Sequence, residues 1–179
     1  MRRLATFAGF QWVWWAAVLG AAHGSAAPGV VACALFVALQ VRASHTRAAD
    51  VRLVACSLVL GALFDGALAA SGTVTYAATT PGLPAPAWIL AMWAAFALTL
   101  DHALKGLGPM QAAVLGAVGG PASYVAAQRL GAVTFEEPQP ALVALAVGWS
   151  CASCLLLVLA RRLREQQQAH ASRFAGDMR

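Results

Sequence analysis

The chain has 179 residues, of which 60% are hydrophobic and only 11% are charged, with a formal net charge of +5. A soluble domain is about half apolar and about a quarter charged, so this chain lacks the polar surface that a water-soluble globule needs. Its composition is that of an integral membrane protein. The basic residues lie at the ends of apolar runs and form no basic face. We therefore predict contact with anionic lipid headgroups and no nucleic-acid partner.

Six apolar segments follow one another along the chain, at residues 4–22, 28–41, 51–71, 87–104, 108–130 and 140–159. A helix needs about 20 residues to cross the hydrocarbon of a bilayer, and only the second segment is short for that. The sequence therefore predicts an all-α fold, an integral membrane bundle of six transmembrane helices within residues 1–160. Residues 161–179 are predicted to form a basic cytoplasmic tail.

The positions of lysine and arginine predict the orientation of this bundle. With six spans, every lysine and arginine except Arg129 falls on the same side of the membrane. Cytoplasmic loops carry an excess of these residues, so both termini are predicted to be cytoplasmic. Residues 1–27 also have the arginine pair, apolar core and small residues of a signal peptide. The length of that core, and Gln11 among its tryptophans, favour a first helix that is retained.

Asp65 lies inside the third apolar segment, where a carboxylate costs about 2.5–3.5 kcal/mol to insert. Ser57, Gly61 and Asp65 follow at a spacing of four, which places them on one stripe of small and polar residues. Such a stripe packs against other helices, so we expect Asp65 to face the bundle. One interpretation is a proton, cation or ligand site. The other is a buried structural carboxylate held by hydroxyls or by Arg129.

Asp101 and His102 lie at the inner end of the fourth segment. An aspartate and a histidine near a membrane boundary are candidates for acid–base catalysis, with His102 as the acid–base group. The alternative is an interfacial helix cap, because histidine is favourable near a helix C-terminus. Lys105, one turn after Asp101, forms an ordinary helix pair with it. We also expect one polar pocket, open to the cytoplasm, to be lined by Gln11, Gln40, Thr99 and His102.

The fifth segment carries Gly116, Gly120 and Tyr124 at a spacing of four, with Pro121 after two glycines. Glycine and proline within a membrane helix favour two structures. A broken helix would free backbone carbonyls to line a binding site. An unbroken one would let a neighbouring helix pack closely on the glycines.

Cys151 and Cys154 have the spacing of a redox or metal-binding pair. Further ligands are not placed to help them, so we interpret both as small packing residues. Nucleotide-binding, zinc-protease and serine-hydrolase motifs do not occur in the sequence. We predict no metal and no cofactor.

Four stretches carry a resemblance to a known family: GFQWVWWAAVLGAA, LVLGALFDGALAASG, AWILAMWAAFALTLDHALKGL and AVGGPASYVAAQRLGAV. Over nearly all of its length, up to about residue 159, the chain resembles an uncharacterised bacterial inner-membrane family catalogued as domain of unknown function 2878. The matching positions are Gln11, Trp12, Asp65, Trp93, the Asp101–His102 pair, Gly119, Gly120, Pro121 and Tyr124. The family more often has asparagine at Asp101 and histidine at Gln40. The resemblance implies a bacterial inner-membrane location and assigns no activity.

These features predict a protein that binds or moves a small or lipid-like molecule in an intramembrane polar pocket. The ligand-binding residues are predicted to be Gln11, Asp65, Thr99, His102, Gly120 and Tyr124. One alternative is a membrane-embedded enzyme acting on a lipid or isoprenoid. The other is a non-catalytic subunit that binds another membrane protein.

Overall fold

The described part of the chain folds into six helices and one pair of short strands. The computed structural model describes residues 2–102 and 106–177, without the side chains of residues 2, 101, 171 and 173–177. The helices are α1 (Arg2–Ala22), α2 (Ala27–Arg42), α3 (Arg47–Ala70), α4 (Ala87–His102), α5 (Pro109–Arg129) and α6 (Pro138–Asp177). The strands are β1 (Val74–Tyr76) and β2 (Val133–Phe135). The predicted all-helical bundle is confirmed, and the strand pair is an addition that the sequence did not predict.

Within the described residues, three stretches of helix are long and apolar enough to cross a membrane: Arg3–Ala22, Arg47–Ala70 and Pro138–His170. Ala27–Arg42 and Ala87–Leu100 are apolar but shorter. Large apolar side chains also cover the outside of the bundle, including Trp12 (78% exposed) and Leu63 (67% exposed). A surface of this kind is unfavourable in water and is solvated by lipid chains, so the chain has the character of a membrane protein.

Prolines and glycines mark where the helices begin and end. Pro109 and Pro138 are the first residues of α5 and α6. A backbone N–H at this position has no partner within the helix, so proline, which lacks the N–H, sacrifices no hydrogen bond there. Gly72 and Gly131 follow α3 and α5 with positive φ angles of +71° and +86°. Glycine adopts this conformation without steric strain, and each of these turns leads directly into a strand.

The two strands pair antiparallel, with Val74 opposite Phe135 and Tyr76 opposite Val133. Along each strand the outer two residues are buried and the middle threonine is exposed. The buried face of this pair covers one end of the bundle, which we call the ladder end. The opposite end, beyond which α6 continues, is called the tail end.

Helix α4 lies at the centre of the bundle and contacts α1, α2, α3 and α6. Trp93, Ala95 and Leu98 on this helix are almost fully buried. A helix surrounded by others must be apolar on all sides, which is how the sequence of α4 reads.

Helices α5 and α6 make the most extensive contact in the bundle. Methyl groups added at Gly116 and Gly120 would overlap the backbone carbonyl and the indole ring of Trp149. Helix α5 runs through Pro121 without a break. Of the two structures that the sequence favoured, the structure therefore has the closely packed helix and not the broken one.

Candidate functional site

The carboxylate of Asp65 is fully buried and accepts hydrogen bonds from three side chains. Its Oδ1 accepts from Tyr76 Oη at 2.6 Å and from Tyr124 Oη. Its Oδ2 accepts from Trp93 Nε1 at 2.5 Å. Because the donors lie on β1, α5 and α4, this one carboxylate on α3 links four elements. We call these four residues the Asp65 cluster.

The stripe on α3 explains how Trp93 reaches the carboxylate. A methyl group at Gly61, one turn before Asp65, would overlap the Trp93 indole. Glycine at this position leaves room for the ring to lie against α3. The arrangement corresponds to the interpretation in which hydroxyls hold the carboxylate, whereas Arg129 is exposed on α5.

Tyr76 is the member of the Asp65 cluster that lies outside the helices. Burial raises the pKa of its phenol well above the usual range, and the nearby carboxylate of Asp65 raises the pKa further. The Tyr76 hydroxyl therefore keeps its proton and remains a hydrogen-bond donor throughout the physiological pH range.

A cavity of about 220 Å³ lies beside the Asp65 cluster, and Trp93 and Tyr124 line it. We call it the aromatic cavity. Two rows of residues at a spacing of four face it, one row on α1 and one on α5. The rows are Phe10, Trp14 and Val18, and Leu115, Gly119 and Ser123. The α5 row is exposed, so the cavity opens through the side of the bundle between these helices.

Aromatic rings from α4 and α6 form the inner wall of the aromatic cavity. Trp93 and Trp149 stack with ring centroids 4.6 Å apart and an angle of 15° between their planes. Phe96 meets Trp149 edge-on at 4.9 Å. Since Trp93 is also bonded to Asp65, the cluster fixes the position of this wall.

Two buried polar atoms belong to residues that line the aromatic cavity. Trp149 Nε1 and Ser153 Oγ have no hydrogen-bond partner among the residues that the structure describes. An unpaired buried polar group costs about 1–3 kcal/mol, so proteins rarely leave one without a reason. Both atoms are covered by the surrounding residues, and Ser153 Oγ faces Gly116 in the contact between α5 and α6.

A second group of polar residues lies at the tail end. His102 Nε2 is 3.2 Å from Asp50 Oδ2, and Arg164 Nη2 is 3.8 Å from Asp50 Oδ1. Arg164 Nη2 also lies 3.4 Å from His102 Nε2. A protonated Nε2 donates to Asp50, whereas a deprotonated Nε2 accepts from Arg164, so the two contacts of this nitrogen are alternatives. These residues tie together α3, α4 and α6.

The structure separates the predicted site residues into two groups. Asp65, Gly120 and Tyr124 lie together at the Asp65 cluster and the aromatic cavity, whereas His102 lies at the tail end. Gln11 is exposed on the outside of α1.

The polar residues expected around His102 also differ from the single pocket that we predicted. Thr99 Oγ1 donates to the Ala95 carbonyl of its own helix at 2.9 Å. Gln40 Nε2 donates to Thr6 Oγ1 at 3.1 Å. The Asp101 side chain and Lys105 lie outside the described part of the chain.

The two cysteines at positions 151 and 154 are free thiols, exposed and half-buried respectively. In residues 2–102 and 106–177, no group of three or more histidine, cysteine, aspartate or glutamate side chains is arranged to hold a metal ion.

Sequence reasoning missed Asp50, Trp149 and Ser153. Asp50 stands among the charged residues at the start of α3, where it resembles an ordinary acidic residue in a first turn. The sequence does carry a signal for Trp149, because glycines at a spacing of four on α5 leave room for a large side chain on the neighbouring helix. Ser153 had none, since small polar residues are common in membrane helices.

The fold and the site define a helical protein of membrane type with a buried carboxylate cluster and an aromatic cavity. Residues 3–155 match the model of the family described as Protein of unknown function (DUF2878). The chain belongs to this family, as the resemblance in the sequence indicated. The match includes the Asp65 cluster and the aromatic cavity, and it ends before Arg164. No curated protein matches the chain, and no solved structure does.

Proposed function

We propose that this protein crosses the bacterial inner membrane six times and binds a lipid-like molecule in the aromatic cavity. Three long apolar helices and two shorter ones support the multi-pass arrangement. The charge distribution supports the orientation, because Arg3, Arg47 and Arg161 belong to the tail end and Arg129 to the ladder end. By the positive-inside rule the tail end is cytoplasmic.

The observation that carries this proposal is the aromatic cavity itself, whose walls are largely apolar and whose α5 row is exposed on the outside of the bundle. Hydrocarbon fits walls made of tryptophan, phenylalanine and leucine. The proposed ligand is therefore a molecule with a hydrocarbon chain, as in acyl and isoprenoid lipids.

The size of the cavity limits how much of the ligand it holds. An apolar cavity of about 150 Å³ takes a benzene-sized molecule. At about 220 Å³ the aromatic cavity holds a segment of a chain and not an entire lipid. The remainder of the molecule would extend into the bilayer or toward an end of the bundle. In this proposal Asp65 positions Trp93 and Tyr124 and does not touch the ligand.

Replacing Gly119 by leucine tests the proposal. Gly119 lines the cavity, and a Cβ atom there would meet nothing within 4 Å, so we expect Gly119→Leu to fill the opening and leave the helix packing in place. We expect native mass spectrometry of the protein purified in mild detergent to show bound lipid, and Gly119→Leu to lose it. Ala122→Leu is the matched control, because Ala122 is exposed on the same helix and does not line the cavity. Equal lipid retention by the two variants would contradict the proposal.

A second candidate function is favoured by the contact between Asp50 and His102. A carboxylate that holds an imidazole in place is the usual arrangement of a general base. His102 borders a cavity of about 800 Å³ at the tail end, which offers space for a substrate headgroup, and Asp50 lies behind it. We infer from this pair the alternative of a membrane-embedded enzyme that modifies a lipid or isoprenoid.

Under this alternative, His102→Gln should leave the fold intact and reduce turnover at least about 100-fold, the usual contribution of a general base. The measurement is the conversion of membrane lipid extract by purified protein, followed by mass spectrometry. His45→Gln is the control, because His45 lines the same cavity and lies away from the Asp50 contact. If His102→Gln changes no lipid species, this alternative is wrong.

A further inference from the structure

The cavity at the tail end, which we call the basic cavity, has a strongly positive lining. Its arginines are Arg3, Arg161 and Arg164, whereas Glu165 is its acidic residue among those described. Hydroxyl and amide side chains complete the polar wall, namely Thr6, Ser44, Thr46 and Gln168. Its volume is about 800 Å³. Arginines and hydroxyls around one space are typical of a site for an oxyanion.

Two of these arginines are held in place by the protein. Arg164 lies 3.8 Å from the buried carboxylate of Asp50 and still borders the cavity. Arg161 donates through Nη2 to the carbonyl of Leu107. Both residues border the cavity while these contacts hold their guanidinium groups. Because both guanidinium groups are already positioned, binding an anion requires little further ordering.

The aromatic and basic cavities have separate linings that lie close together along the helices. Ser153 lines the aromatic cavity and Leu157 lines the basic one, and these residues are one turn apart on α6. One turn of helix rises about 5.4 Å. On α4, Leu100 lines the aromatic cavity and His102 the basic one, two positions further on. These short separations are within reach of the chain and the headgroup of one amphiphile.

We infer that the ligand is a lipid with a phosphate headgroup, bound with the phosphate in the basic cavity and part of its chain in the aromatic cavity. This inference rests on the proposed function and adds the class of headgroup. Phosphate matches the planar fork of an arginine, which forms two parallel hydrogen bonds to two of its oxygens.

The test compares two lipids that differ only in the phosphate. Dioleoyl phosphatidic acid and dioleoylglycerol are titrated separately into the full-length protein in neutral detergent, and binding is followed by native mass spectrometry. We expect the phosphate lipid to bind about tenfold more tightly, the effect of about one charge-assisted hydrogen bond. Arg164→Gln and, separately, Arg3→Gln should remove this preference. Arg162→Gln should keep it, because Arg162 is exposed on α6 and does not line the basic cavity.

Inorganic phosphate serves as the third probe and separates the sources of the anion. Competition by millimolar phosphate against phosphatidic acid, with dioleoylglycerol unaffected, supports the inference. Stabilisation by phosphate alone, without preference for the phosphate lipid, overturns it in favour of a free anion. Equal binding of the two lipids, lost in Gly119→Leu, overturns the headgroup inference and leaves the proposed function standing. Binding of neither lipid contradicts the proposed function as well.

Discussion

Asp65 shows how a membrane protein can stabilise a buried carboxylate with neutral donors. Two phenols and an indole donate to it. A hydrogen bond to a charged acceptor contributes about 1.5–3 kcal/mol, so the three together offset the roughly 2.5–3.5 kcal/mol of inserting the charge. These hydrogen bonds hold the three donor side chains next to the carboxylate. Asp65 therefore determines the positions of Trp93 and Tyr124, which line the aromatic cavity.

Asp65→Asn should destabilise the protein by about 1–3 kcal/mol. The amide replaces one acceptor oxygen by a donor, which must face either the Trp93 N–H or the two phenols. One or more buried donors then lose their partner. The measurement is the unfolding temperature in detergent, read from the near-ultraviolet circular dichroism of the tryptophans.

Tyr76→Phe is the control for this prediction. It removes one donor and leaves the carboxylate with Trp93 and Tyr124, so its effect should lie at the low end of that range, about 1.5 kcal/mol. An Asp65→Asn protein as stable as the wild type would contradict the structural role. If such a protein also failed to move its ligand, Asp65 would instead be a proton or cation site.

The contact between α5 and α6 depends on two glycines that lie against Trp149. Gly116 faces its backbone carbonyl, and Gly120 faces its indole ring. This close approach places Trp149 beside Trp93, and the stack of the two rings forms the wall of the aromatic cavity. The packing of α5 on α6 thus determines the shape of the cavity.

Gly116→Ala should therefore lower the free energy of unfolding by about 1–3 kcal/mol, the usual effect of overpacking. The added methyl group overlaps backbone, which cannot move aside without separating the helices. Gly119→Ala is the matched control on the same helix, since its methyl group meets open space. Alanine also favours helix over glycine by about 1 kcal/mol, so the control should be neutral or stabilising. Both are read by thermal unfolding in detergent, and equal unfolding temperatures would contradict the packing argument.

Much of the helical architecture follows from the sequence, because apolar segments bounded by charges and prolines are a strong signal. The predicted segment at residues 28–41 corresponds to α2 at Ala27–Arg42, and the stripe on α3 correctly turned Asp65 inward. The strands could not be predicted in this way. Each has three residues within a polar connection, and only their pairing in space defines them.

The contacts between side chains on different helices could not be predicted from the sequence for a different reason. Trp93, Tyr124 and Asp65 each stood out in the sequence, but periodicity gives a face of one helix and not its height or rotation relative to the next. Gln11 illustrates the same limit. Helix α1 is apolar almost all round, so nothing in its pattern says which face meets the bundle, and Gln11 is exposed.

Contacts between elements hold the bundle together at both of its ends, and fewer contacts do so along one of its sides. At the ladder end, β1 and β2 join the connection after α3 to the connection after α5. At the tail end, Asp50, His102 and Arg164 join α3, α4 and α6, and Ala49 N donates to Gln167 Oε1 at 2.9 Å. Between these ends, α1 packs on α2 and α4, and the aromatic cavity separates its inner face from α5. The side between α1 and α5 is thus where the cavity meets the lipid.

The sideways opening at Gly119 affects how often a ligand occupies the aromatic cavity. A molecule that reaches the aromatic cavity through this opening passes from the bilayer to the protein without entering water. Its low aqueous solubility then places no limit on the rate of binding. What determines how often the cavity is filled is the mole fraction of the ligand among the surrounding lipids. The protein would in that case respond to the make-up of the membrane itself, and its degree of saturation would follow lipid synthesis directly.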